Sequence, residues 1–281
     1  MMHSKGISNM KKTIAILLTI STLVFGCCSC SMGKSGHEKI VFEKDKFIEQ
    51  YVAEKDKPME VINERSDSKE VFFYRGEQKI YSEIYIPEGK GPFPVVVISG
   101  GMGSSLTANT PLAKKLVAND IVAVLFDPIN MVSGSQSDGV FTDYSVMTQV
   151  ADIESIISAI SEESYIDTNQ IYLWGYSISG FPSAYVGCRN PNIIKGMILV
   201  EPSLFMNDDA REKFASIDDI PDVIKSGMYV GGAFYRDIYN FNIFDYMKDY
   251  SGNVIIYAGT KVSSIGAEMP ELFVRVDEQF P

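Results

Sequence analysis

The hydrophobic pattern first becomes regular at residues 71–87, which read VFFYRGEQKIYSEIYIP. Apolar and polar residues alternate there on both sides of a turn that contains a glycine, and this pattern is typical of an antiparallel hairpin. The next apolar run, PVVVISG at 94–100, is continuous. A continuous run predicts a strand that is covered on both faces.

Beyond residue 100, helical and strand patterns alternate. Helices are predicted at 105–118, at 143–164 and from 179, and a last helix is predicted at GAEMPELFVRVDEQF. The predicted strands between them are IVAVLFD, IYLWG, IKGMILVEP and NVIIYAG. Strands joined by helical crossovers predict a mostly parallel sheet with helices on both faces. Residues 203–249 interrupt the alternation, and we expect an insertion that acts as a lid over the carboxyl ends of the strands.

The amino-terminal region has the composition of an export signal. Residues 10–26, MKKTIAILLTISTLVFG, join two lysines to a short apolar run, so residues 1–26 are predicted to be a signal peptide whose natural start is Met10. VFGC resembles the lipobox of bacterial lipoproteins, which predicts lipid on Cys27 and attachment to the outer face of a bacterial membrane. An ordinary cleaved signal, giving a secreted protein, and an uncleaved anchor are the alternatives. Residues 27–68 are predicted to form a charged tether, and 69–281 the folded domain.

Composition narrows the possible partners and cofactors. Loss of residues 1–26 changes the formal charge from −11 to −14, because they carry three lysines and no acidic residue, and this argues against nucleic acid as a partner. Cys27, Cys28 and Cys30 cluster at the signal junction, but no further His or Cys completes a metal site. We therefore expect no cofactor and no metal, and an inert thiol at Cys188.

A glycine-bracketed serine follows the strand IYLWG, in the order Gly175-Tyr176-Ser177-Ile178-Ser179-Gly180. A serine on a sharp turn between a strand and a helix is typical of a nucleophile, and the residues two positions away must then be small. Gly175 satisfies this requirement on one side and Ser179 on the other. Gly180 allows the new helix to approach the sheet.

With these motifs, residues 70–281 resemble the α/β-hydrolases, in the branch of serine aminopeptidase-like, cinnamoyl-esterase-like and dienelactone-hydrolase-like proteins. The resemblance implies the α/β-hydrolase fold and acyl transfer with Ser177 as nucleophile. It also implies an oxyanion hole formed by the N–H groups of Ile178 and, in SGGMGSS, Gly101. Ser99 stands where many of these relatives have a histidine.

The histidine that a catalytic serine normally requires is missing from its family position. The chain has only His3 and His37, and in the resembling enzymes the histidine follows an eighth strand that this sequence lacks. Many relatives have an aspartate where Val262 stands. Glu201 is either an alternative acid or a solvated carboxylate at a strand end. Asp127 is expected to bond loop amides.

Other activators of Ser177 are poorly supported. A lysine three residues after the serine would suggest a Ser–Lys dyad, but Gly180 occupies that position. His37 would have to reach the serine from the tether, at a cost in conformational entropy.

Two functions therefore remain open. One is a serine hydrolase of carboxylic esters or related acyl substrates, inactive or nearly so as written because its domain lacks the last strand, the last helix and the histidine. The other is a pseudoenzyme, a lipoprotein that binds a small molecule without catalysis. In either case NVIIYAG is expected to form an exposed edge strand that favours self-association.

Overall fold

A computed structural model describes residues 39–52, 56–226 and 228–258 of the 281-residue chain. The strands are β1 (Glu60–Glu64), β2 (Ser68–Arg75), β3 (Gln78–Tyr85), β4 (Phe93–Ser99), β5 (Val122–Phe126), β6 (Ile166–Tyr176), β7 (Ile194–Val200), β8 (Val223–Ser226), β9 (Met228–Gly231) and β10 (Asn253–Tyr257). The helices are α1 (Thr110–Val117), α2 (Val146–Ile160), α3 (Gly180–Arg189), α4 (Met206–Lys213), α5 (Ala233–Arg236) and α6 (Phe244–Met247).

The main sheet has the strand order β1-β2-β3-β5-β4-β6-β7-β10. The pairs β1–β2, β2–β3 and β3–β5 are antiparallel, whereas β5, β4, β6, β7 and β10 run parallel to their neighbours. The predicted amino-terminal hairpin is therefore confirmed as β2–β3, and the predicted mostly parallel sheet follows it. The elements that were not predicted from the sequence include the edge strand β1, the small antiparallel hairpin β8–β9 and the helices of the 203–249 insertion.

Strand β4 is continuously apolar from Val95 to Ile98 because both of its faces are covered. Val95 and Val97 belong to a core cluster that includes α2 and α3, while Val96 and Ile98 belong to a second cluster that includes α1. Successive side chains of a strand point to opposite faces, so a strand that is covered on both faces must be apolar throughout.

Within residues 27–68, which are predicted to be a tether, two parts contact the domain: the segment 39–52 and strand β1. In the segment 39–52, Ile48 is fully buried, and the ring of Phe47 packs edge-on against those of Tyr185 and Phe241 at centroid distances of 6.5 and 4.9 Å. The region 60–64 is strand β1. The isolated apolar residues of this charged segment give no strong periodic signal, and the partners that bury them lie far away in the sequence.

Polar contacts also hold the segment 39–52. The guanidinium of Arg189, at the end of α3, lies between two carboxylates, 2.7 Å from Asp45 Oδ2 and 3.0 Å from Glu154 Oε1. The hydroxyl of Tyr51 donates to Asp237 in the 203–249 insertion at 2.7 Å. The segment therefore bridges α2, α3 and the insertion.

The 203–249 insertion leaves the sheet after β7 and returns at β10, and it contains α4, the β8–β9 hairpin, α5 and α6. Gly231 of β9 approaches the backbone of Thr142 so closely that a side chain there would collide with it. Phe234 and Phe241 are buried in the main core, while Phe205, Tyr235 and Tyr239 are only partly buried. Part of the insertion is therefore core structure, and its action as a lid stays a prediction.

The predicted last helix lies outside the described residues, so the expected exposure of β10 stays a prediction. Among the described helices, none combines the length and hydropathy that a membrane crossing requires.

The Arg189 contacts predict a pH dependence of stability. Burial raises the pKa of Glu154 from its ordinary 4.5 to about 7, and the attraction of Arg189 only partly opposes this effect. The folded state therefore holds the proton more tightly than the unfolded chain does. The protonated Glu154 side chain therefore stabilises the folded state fully below about pH 4.5, and this contribution is lost as the pH rises through about 7.

We expect Glu154 to lower the free energy of unfolding by roughly 3 kcal/mol between those pH values. Denaturant unfolding across this range should show a flatter profile for Glu154→Gln than for wild type. Glu162→Gln, at an exposed position just after the same helix, is the control and should follow wild type. Equal slopes for wild type and Glu154→Gln would contradict the prediction.

Candidate active site

Ser177 lies on a sharp turn between the parallel sheet and α3. Strand β6 ends at Tyr176, Ser177 has a φ of +56°, and α3 begins at Gly180. L-residues rarely adopt this left-handed conformation, which costs of order 1 kcal/mol or more unless the surroundings enforce it. The sequence prediction of a strained serine between strand and helix agrees with this geometry.

Close packing around the turn leaves room only for small residues at Gly175 and Gly180. A Cβ on Gly175 would lie 2.7 Å from Ser183 Oγ and 2.8 Å from Gly180 Cα. A Cβ on Gly180 would lie 2.8 Å from Pro202 Cα. The turn is therefore packed against both its own helix and the segment that follows β7.

The backbone of Ser177 is held by a hydrogen bond, while its hydroxyl makes no hydrogen bond with another described side chain. Its carbonyl accepts a hydrogen bond from the Ser203 N–H at 3.0 Å. The residue is half-buried, and within the described part of the chain no side chain hydrogen-bonds to its hydroxyl. Its neighbour Tyr176 is exposed, so the serine lies at a surface that a ligand can reach.

Gly101, the predicted oxyanion residue of the β4 loop, lies beside the serine. A Cβ on Gly101 would lie 3.5 Å from Ser177 Cβ and 3.1 Å from two ring atoms of Tyr176. Its carbonyl accepts from the Ser104 N–H at 3.0 Å, whereas its own N–H donates to no other described residue. Ile178, the second predicted donor, is in the first turn after the serine, where N–H groups lack partners within the helix.

A buried polar cluster that the sequence reasoning missed lies beneath this loop. Gln149 of α2 donates from Nε2 to Ser99 Oγ at 2.5 Å and to Ser179 Oγ at 2.8 Å. Ser99 Oγ donates to Ser179 Oγ at 2.9 Å, and Ser179 Oγ donates to the carbonyl of Gly100. One signal for Gln149 was available, since it lies on the apolar face of α2, three residues after Val146 and four before Ile153.

Asp127 has the structural role that the sequence predicts. Its side chain accepts from the Leu106 N–H and from Ser135 Oγ, both at 2.6 Å, and its carbonyl accepts from Ser137 Oγ at 2.6 Å. Burial raises the pKa of this carboxyl, although these donors favour its charged form. Asp127 therefore joins the loop after β4 to the loop after β5.

Glu201 lies beside the turn but is not bonded to the serine. It follows β7, has a φ of +47°, and its N–H donates to the Tyr257 carbonyl at 2.6 Å. Its side chain makes no hydrogen bond or ion pair with another described residue. Val262, His3 and His37 lie outside the described residues, as does Cys27.

Two cavities of the described body lie apart from the serine. One of about 720 Å³ is lined by the segment 39–52 and the end of α3, and one of about 310 Å³ by the loop 128–141; neither lining includes Ser177.

Burial raises the pKa of the Cys188 thiol to about 12. Among the described residues, no group of three metal-ligating side chains is close enough to hold a metal ion.

Solved structures place this architecture among the α/β-hydrolases. Est1E from Butyrivibrio proteoclasticus, with ferulic acid bound, is similar with a TM-score of 0.65 and 19% identity, covering 74% of this chain and 85% of that protein. An alpha-beta hydrolase from Vibrio vulnificus is similar with a TM-score of 0.54 and 17% identity, covering 76% of this chain and 70% of that protein. The monoacylglycerol lipase of Paleococcus ferrophilus is similar with a TM-score of 0.54 and 18% identity, covering 71% of this chain and 84% of that protein.

No protein-family model and no curated protein matches the sequence. The structural likeness shows the fold: the chain has the α/β-hydrolase fold that its motifs predict.

The close packing of the turn predicts a strong position dependence for alanine substitution. Gly175→Ala should lower the free energy of unfolding by about 2 kcal/mol or more, because its methyl group meets atoms of the turn and of α3. Gly100→Ala is the control, since its Cβ would find no atom nearer than 3.5 Å, and we expect a change within about 1 kcal/mol. Denaturant unfolding measures both, and equal effects would contradict the prediction.

Proposed function

We propose that the protein is a serine hydrolase by lineage, acting on carboxylic esters or related acyl substrates. In this reaction, Ser177 Oγ attacks the acyl carbonyl, and the N–H groups of Ile178 and Gly101 stabilise the oxyanion of the tetrahedral intermediate. Collapse of the intermediate expels the alcohol and leaves an acyl-serine. Attack of water on that ester releases the acid and restores the serine.

The observation that carries this proposal is the strained Ser177 beside Gly101, a residue whose N–H makes no described hydrogen bond. The names of the structural neighbours support the same class of substrate. They include a monoacylglycerol lipase, an acetyl xylan esterase from Thermoanaerobacterium and a thioesterase domain from the curacin biosynthetic pathway. These names do not distinguish one acyl substrate from another.

The weak point of the reaction in this chain is proton transfer. A serine hydroxyl needs a base, and neither His3 nor His37 occupies the family position. We therefore propose that the chain as given turns over slowly or not at all. The absence of a base bonded to Ser177 among the described residues also favours the second candidate, a pseudoenzyme that binds an acyl or aromatic small molecule at the same surface.

We also propose export and lipid attachment at Cys27, which the VFGC pattern supports. A lipid would hold the acidic body at the outer face of a bacterial membrane without requiring a basic surface.

Fluorophosphonate labelling tests the hydrolase proposal. We expect slow labelling of the full-length protein that Ser177→Ala abolishes and Ser155→Ala leaves unchanged, because an oxyanion hole supports some reactivity even where triad members are lost. Ser155 is a buried serine of α2 whose hydroxyl makes no hydrogen bond with another described side chain. A cooperatively folded sample that never labels would contradict the hydrolase and support the binding protein.

Detergent partitioning in a bacterial host tests the anchor. Wild type and Cys28→Ser should enter the detergent phase, because Cys27 carries the lipid in both, and Cys27→Ser should remain in the aqueous phase. Identical partitioning of Cys27→Ser and wild type would show that lipid at Cys27 is not what anchors the protein.

A further inference from the structure

The buried cluster of Gln149, Ser99 and Ser179 has a single consistent arrangement of protons. Its last acceptor is the Gly100 carbonyl, so Ser179 must use its only proton there. Ser99 then donates to Ser179, and the two protons of the Gln149 amide reach one serine each. If Oε1 and Nε2 of Gln149 exchanged places, two of these four contacts would have no proton to form a hydrogen bond.

Tyr144 contacts the other end of the Gln149 amide. Because Nε2 must face the serines, Oε1 faces Tyr144 and accepts a hydrogen bond from its hydroxyl at 2.6 Å. Tyr144 is fully buried, and this burial raises its pKa well above the ordinary 10, so the hydroxyl keeps its proton. Every member of the chain from Tyr144 to Gly100 therefore has a defined donor or acceptor role.

The end of this chain controls one peptide plane of the oxyanion loop. The carbonyl of Gly100 and the N–H of Gly101 belong to the same trans peptide unit, in which the two groups point in opposite directions. When Ser179 holds the carbonyl on one side, the N–H is directed to the other. This N–H makes no described hydrogen bond, and the residue that carries it, Gly101, lies beside Ser177.

We propose that Ser179 is a positioning residue. Gln149 and Ser99 hold its hydroxyl, and the hydroxyl in turn orients the Gly101 N–H toward the oxyanion. This inference rests on the proposed function. Ser179 occupies the place where the resembling motif has a second glycine, which has no hydroxyl. The hydroxyl joins the turn that carries the nucleophile directly to the loop that carries the donor. Glycine flexibility in the Gly100–Gly101 pair is thereby restrained by a side chain.

The orientation of this peptide is measurable without any activity. The sequence contains only two Gly-Gly pairs, Gly100–Gly101 and Gly231–Gly232. Full-length protein made with ¹³C-carbonyl and ¹⁵N glycine should therefore give two HNCO cross-peaks. We expect Ser179→Ala to shift the Gly101 peak and to leave the Gly232 peak as an internal control, while Ser155→Ala should move neither.

The catalytic consequence is read from the rate of fluorophosphonate labelling at Ser177. We expect Ser179→Ala and Gln149→Leu each to slow labelling about 10-fold to 100-fold, less than removal of an oxyanion donor, which costs about 100-fold to 1,000-fold. The double variant should be no slower than Ser179→Ala alone, because both changes disable one unit. Ser179→Gly removes the same hydroxyl if an alanine variant folds poorly.

The outcomes separate the two proposals. An unmoved Gly101 peak in Ser179→Ala overturns the positioning role, whatever the labelling result. A moved peak with labelling at the wild-type rate overturns the catalytic consequence. If wild type itself does not label, the hydrolase proposal fails, and the Gly101 peak alone decides whether Ser179 orients the peptide.

Discussion

The turn at Ser177 is the constraint on which the rest of the site depends. Reversing the chain from a central parallel strand into a helix within three residues forces the serine to a φ of +56°, which no hydrogen bond of its own side chain relieves. The neighbours must enforce that conformation: Gly175 and Gly180 leave room for close packing, and the Ser203 N–H holds the Ser177 carbonyl. The strain is tolerated because the surrounding packing allows no other arrangement.

The same region shows how this protein handles polar groups inside a nonpolar core. A glutamine amide buried without partners would cost several kcal/mol, and here the Gln149 amide bonds to the hydroxyls of Ser99, Ser179 and Tyr144. A matched network is also stiff, because moving one member leaves another unsatisfied. The polar cluster therefore gives the glycine-rich loop a rigidity that its own sequence lacks, at the point where catalysis by preorganised N–H groups needs it.

The amino-terminal segment contributes to the domain in a second way. Ile48 and Phe47 extend the core beyond the sheet, and Arg189 lies between the carboxyl groups of Asp45 and Glu154 where the segment enters it. These three groups belong to three different elements, so they meet only when all three elements are in place. The folded body thus extends closer to residues 1–26, the proposed export signal, than the charged composition of residues 27–68 suggests.

The sequence by itself determined the order and type of the main elements, because period-two and period-3.6 patterns report directly on which faces are buried. It also located the serine turn, since glycine and serine spacing carries the steric requirement locally. Strand β1, the docking of residues 39–52 and the Gln149 cluster were decided only by tertiary structure. The docked segment and the Gln149 cluster depend on distant partners, such as Asp237 for Tyr51, 186 residues away, and Ser99 for Gln149, 50 residues away, and no local pattern records such a pairing.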